Sequence, residues 1–144
     1  IANETILLYS NEFYNLLILG IPIGLLTTNI LFINQYPDYA SDKKVGKNHL
    51  VVILGKKASR WIYALNLILA LGSLYFIAEN MLTGTKQMLF IYLLIPISMF
   101  YSYFLLSGLF KYYNSRKLIK YNIHTIYFHM LFSFIYMIIL ANFQ

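Results

Sequence analysis

The stretch Asn34-Gln-Tyr-Pro-Asp38-Tyr-Ala-Ser-Asp42-Lys43-Lys44-Val-Gly-Lys47 closes a long apolar run and holds two of the chain's five acidic residues, with lysines directly behind them. If helical character continues through it, Asn34, Asp38 and Asp42 recur every fourth residue and share one side of the helix as an oxygen-rich patch. Two carboxylates a turn apart repel. Nearby lysines relieve part of that repulsion and a divalent cation relieves more, because Mg²⁺ typically takes one or two carboxylates and completes its shell with water and phosphate oxygens. At the mouth of a membrane bundle the spacing reads as half of a diphosphate clamp; the same spacing also serves a solvated loop that keeps charge out of lipid.

Around this stretch the composition is that of a membrane protein. Of 144 residues 60% are hydrophobic and 18% aromatic. Only 11% are charged, against about 25% in ordinary soluble domains. There is no cysteine, which excludes disulfides, thiolate metal sites and a cysteine nucleophile. The net charge of +6 could serve nucleic acid, but the lysines fall where membrane topology puts them, so no nucleic-acid partner is expected. The chain begins at Ile1 and lacks the basic start and cleavage site of a signal peptide, so it reads as trimmed, processed or a fragment.

Four uncharged runs predict an all-α membrane protein with four transmembrane helices: Phe13–Ile33, Trp61–Ala78, Gln87–Phe110 and Tyr121–Phe143. Each approaches the roughly 20 residues that cross a hydrocarbon core of about 30 Å. Gly20, Pro22 and Gly24 mark a kink or a close helix contact in the first run, Pro37 a break beyond it, and Pro96 a bend in the third. Between the first two runs, Leu50-Val-Val-Ile-Leu54 is bracketed by Gly46 and Gly55 and is too short to span; it reads as a re-entrant or interfacial element. Trp61 and Tyr63 stand at the depth of an aromatic belt. Glu79–Lys86 is a turn.

Every Asp, Glu, Lys and Arg lies outside the four runs. Lys43, Lys44, Lys47, Lys56, Lys57 and Arg60 follow the first run, and Lys111, Arg116, Lys117 and Lys120 follow the third. Only Lys86 follows the second. By the positive-inside rule the first and third loops are cytoplasmic, so the Asp38/Asp42 patch faces the cytoplasm of an integral, multi-pass membrane protein. His124 and His129 are five residues apart, on different sides of a helix, which argues against a shared metal. No repeat is visible and the loops are too short for a second domain, so residues 1–144 form a single transmembrane helical domain.

At this point the string as a whole resembles a known family. Gly-x-Pro-x-Gly at residues 20–24, Leu-Phe-Ile-Asn-Gln-Tyr-Pro-Asp-Tyr-Ala-Ser-Asp at 31–42, and Val-Gly-Lys and Leu-Val-Val-Ile-Leu-Gly between Val45 and Gly55 look like the second aspartate-rich region of the UbiA superfamily of intramembrane aromatic prenyltransferases. The wording is nearest to the menaquinone-type branch and its unassigned relatives. The resemblance covers essentially the whole chain, matched to the last four of about nine helices.

It implies transfer of a polyprenyl group from polyprenyl diphosphate to an aromatic acceptor, in quinone or related lipid biosynthesis, within membrane lipid. Asp38 and Asp42 would be catalytic and would hold one Mg²⁺. Asn34, Lys43 and Lys47 would bind the diphosphate, and an aromatic, water-poor cavity would shelter the allylic cation. Lys44, Lys56, Lys57 and Arg60 read as topology signals. The family's first aspartate motif is missing, the other acids being Glu4, Glu12 and Glu79. This chain alone is therefore expected to be inactive, and to need a missing N-terminal half or a partner chain. A non-catalytic UbiA-like subunit that scaffolds a larger membrane complex is the alternative, and an unrelated four-helix channel or transporter subunit a third reading.

Overall fold

A computed structural model describes the backbone of residues 2–141 and the side chains of residues 12–141. The Glu4 side chain and the end of the fourth run, residues 142–143, lie outside the described residues. Four helices follow one another: α1 (Ala2–Lys44), α2 (Leu50–Asn80), α3 (Thr85–Tyr112) and α4 (Leu118–Ala141). All four are long and apolar enough to cross a membrane. Each packs on the next, and α4 closes on α1; among the described residues no Cα pair within 8 Å links α1 to α3 or α2 to α4.

The bundle is apolar outside as well as inside, as a lipid solvent requires. Leu16, Ile68, Phe100 and Phe134 are exposed, while Ile33, Leu67, Leu105 and Tyr136 are buried. Lipid supplies no hydrophobic force between helices, so polar contacts add to packing as glue. Asn66 Nδ2 donates to Asn29 Oδ1 at 2.9 Å, Asn29 Nδ2 to the Tyr63 carbonyl at 3.1 Å, and Tyr136 hydroxyl to the Leu19 carbonyl at 3.0 Å. Tyr63 is no belt residue. It is fully buried, and its hydroxyl crosses the bundle to Thr125 Oγ1 at 2.8 Å. Trp61, by contrast, is exposed and meets Phe110 edge-on.

Three local expectations need correction. Pro37 does not break α1, which runs through it to Lys44. A proline removes the N–H that would bond the carbonyl four residues back. That carbonyl belongs to Ile33, and Asn122 of α4 approaches it with Nδ2 at 3.4 Å, so a neighbouring helix takes over the lost bond. Second, Gly20 and Gly24 are not close-contact positions in this bundle, since a Cβ at either would meet nothing within 4 Å.

Third, Leu50–Leu54 is not a separate re-entrant element. It is the first part of α2, set off by a kink at Gly55, whose φ of 79° and ψ of 152° lie in a region essentially reserved for glycine. Ser59 Oγ donates to the Gly55 carbonyl at 2.8 Å, a side-chain bond across the first turn after the kink. Val51 is fully buried, so this short arm is packed into the bundle.

Candidate functional site

The apolar part of α1 ends at Ile33, and the helix then continues to Lys44. At 1.5 Å per residue it projects about 16 Å past the run. Asn34, Asp38 and Asp42 stand along this extension in helical register, at the end of the bundle where the two basic corners lie.

The helix stops in a way that assembles charge. Gly46 has a φ of 75°, a left-handed cap that glycine adopts without strain. Gly46 N–H donates to the Lys43 carbonyl at 3.3 Å and Lys47 N–H to the Asp42 carbonyl at 2.9 Å, the two nested bonds of a Schellman motif. This cap turns the chain so that Lys47 comes back over Asp42, and Nζ reaches Oδ1 at 2.7 Å. The other carboxylate oxygen, Oδ2, receives His49 Nε2 at 2.9 Å.

His49 joins the two helices. Its Nδ1 accepts from Val52 N–H at 3.3 Å, capping α2, while Nε2 serves Asp42. One neutral tautomer, protonated on Nε2, does both. Gln35 of α1 adds a second cap, its Oε1 accepting from Val51 N–H at 3.4 Å. The hydrogen bond from Lys47, then that from His49, hold the Asp42 carboxyl below its ordinary range beyond the end of the apolar run. The same bond to Asp42 raises the Lys47 ammonium.

The five residues singled out in the sequence therefore have distinct surroundings. Asp42 is 9% exposed and engaged through both oxygens, whereas Asp38, one turn earlier, is exposed and makes no ion pair among the described residues. Asn34 is held by α4, its Oδ1 accepting from Asn122 Nδ2 at 3.3 Å. Asn122 Oδ1 is buried without a hydrogen-bond partner. Lys47 joins the carboxylate, but Lys43 lies over the Tyr39 ring, 5.8 Å from its centroid. The histidines of α4 separate as their spacing requires: His124 bonds Tyr101 of α3 and His129 bonds Thr27 of α1, each at 2.8 Å.

His49 and Asn122 were missed by the reading of the sequence. His49 had a signal, since a residue that can accept a hydrogen bond directly before an apolar helical start is a cap candidate. Asn122 had only its polarity inside an apolar run.

Among the described residues no three His, Asp or Glu side chains gather into a cage for an ion. The donor set suits the other kind of site, in which one or two carboxylates hold a hydrated Mg²⁺ against phosphate. Asp38 offers an open carboxylate for it, and Asp42 a second that is already shared with two donors. Four recesses around the bundle are lined by other residues than Asp38 and Asp42.

Comparison with known proteins follows the same line. No curated protein and no solved structure matches the chain. The family model of the UbiA prenyltransferase family matches residues 6–135, nearly the whole sequence and all four helices. The chain belongs to the UbiA prenyltransferase family.

Proposed function

We propose that this chain carries the second aspartate-rich half of a prenyl-transfer site, which moves a polyprenyl group from its diphosphate to an aromatic acceptor at the cytoplasmic face of a membrane. The observation that carries this reading is the exposed Asp38 carboxylate one turn before the Asp42–Lys47–His49 cluster, on a helix end lifted clear of the apolar run.

In this reading Asp38 and Asp42 would hold Mg²⁺, which when bound would supply positive charge against the diphosphate. Lys47 is fixed by the helix cap and adds a cation at the same rim. As negative charge grows on the departing diphosphate, a preplaced ammonium stabilises it without reorganising. His49 keeps Asp42 oriented, and Asn122 holds Asn34 beside the pair. The remaining carboxylates of a complete clamp come from residues this sequence does not contain, as does the rest of the cavity for the prenyl chain.

A second reading is favoured by the engagement of both Asp42 oxygens: the cluster is a structural stitch between α1 and α2 in a UbiA-like scaffold. Prenyl transfer in membranes containing the full-length protein separates the two. Asp38→Ala has no bond in the stitch to break. Its loss of Mg²⁺-dependent transfer with unchanged folding supports the enzyme reading, and wild-type turnover in both Asp38→Ala and Asp42→Ala would rule it out.

A further inference from the structure

A polar recess lies at the same end of the bundle, at the corner between α3 and α4. It encloses about 390 Å³ and is lined by Tyr36 and Pro37 of α1, Lys56 of α2, Arg116 of the corner, and Leu118 and Ile119 of α4, among others. Asn34, Asp38, Asp42 and Lys47 take no part in it.

Two features of the recess point the same way. Tyr36 is 0% exposed, yet its hydroxyl has no hydrogen-bond partner. Buried hydroxyls almost always find one, so an unpartnered donor in the wall of a recess marks a place for an acceptor. Lys56 and Arg116 contribute two cations, neither in an ion pair among the described residues; Lys56 Nζ lies 5.4 Å from the Tyr39 ring centroid, which leaves its charge without a carboxylate, and no carboxylate lines the space.

We infer that this recess binds a phosphate oxyanion, with Lys56, Arg116 and the Tyr36 hydroxyl as its donors, and that the group it takes is the headgroup phosphate of an anionic membrane lipid. The apolar side of the recess favours a lipid over a free ion. Ile119 is 50% exposed beside buried Leu118, which places an open hydrocarbon surface next to the cations. Basic pockets between transmembrane helices at the membrane surface take lipid headgroups by this combination. The inference is independent of the prenyl-transfer reading.

The test uses the detergent-solubilised full-length protein, titrated separately with phosphatidylglycerol, phosphatidylcholine and inorganic pyrophosphate, with bound ligand read by native mass spectrometry. Each cation near a membrane surface contributes about fivefold, so Lys56→Gln combined with Arg116→Gln is expected to weaken phosphatidylglycerol binding about twenty-five-fold and to leave phosphatidylcholine unchanged. Tyr36→Phe keeps the ring and removes only the donor. It is expected to weaken binding about threefold without lowering the thermal midpoint of the lipid-free protein, a result that a purely structural hydroxyl would not give. Loss confined to the phosphatidylglycerol arm identifies the lipid headgroup, and a parallel loss of pyrophosphate binding identifies a site open to free oxyanions as well. Equal binding of phosphatidylglycerol and of pyrophosphate by wild type and the double variant overturns the inference, as does wild-type protein that binds neither.

Discussion

Two basic corners sit at one end of this bundle and look alike in the sequence, yet their charges are used differently. At the α1–α2 corner a helix cap folds Lys47 back onto Asp42, and His49 closes the other side of the carboxylate. At the α3–α4 corner Arg116 and Lys56 line a recess with no carboxylate, Lys56 lying over the Tyr39 ring, while Arg60 is taken up by the protein backbone and a ring. Its guanidinium donates to the Phe110 carbonyl at 3.2 Å and lies 4.2 Å from the Tyr113 ring centroid. Lysine and arginine counts give the orientation of a membrane protein. They do not show which cations are compensated by a carboxylate and which are not.

The largest expected effect separates the corners by function. Asp38→Ala should lower prenyl transfer by about a hundredfold or more, the scale of losing one preorganised electrostatic group, whereas Arg116→Gln should leave the turnover number within about twofold. Equal losses in both variants would erase the distinction.

The next effect strikes both corners together. Gly55 joins the arm that carries His49 to the part of α2 that carries Lys56, and its φ of 79° admits only glycine without strain. Gly55→Ala should cost about 1–3 kcal/mol and lower the thermal midpoint. An unchanged midpoint would mean that the kink is not held as described.

A smaller effect sharpens the account of the acidic corner. Because Asp42 is held below its ordinary value of 3.8, its contribution to stability is complete above that value and is lost as pH falls through the lower native one. Lys47→Met removes the first cause of the depression and leaves the backbone bonds of the cap in place. Its Asp42 should therefore titrate closer to 3.8 in carboxyl NMR, and the α1–α2 corner should open at a higher pH than in wild type. An Asp42 titration unmoved by the substitution would assign the depression to His49 instead.

The four helices were legible because uncharged runs separated by clustered charge have one solution in a bilayer. What escaped was whatever depends on a distant partner. Pro37 reads locally as a break, and the rescue of the Ile33 carbonyl comes from Asn122, 89 positions along the chain. Tyr63 reads as a belt aromatic until Thr125 is found opposite it. At the site, α1 does run on through Asp38 and Asp42 as the spacing required, though among the described residues only Asp42 is engaged in an ion pair, and the nearby Gly46 was a usable sign that Lys47 would turn back. The recess of Tyr36, Lys56 and Arg116 had no such sign, since its donors come from three separate segments.

The central claim is that the carboxylates at the end of α1 grip a diphosphate through Mg²⁺, and binding measures it more directly than turnover. The affinity of the full-length protein for a polyprenyl diphosphate, measured in membranes with and without Mg²⁺, should rise about tenfold or more with the ion in wild type and hardly at all in Asp38→Asn and Asp42→Asn. The same Mg²⁺ enhancement in wild type and in both variants would contradict it.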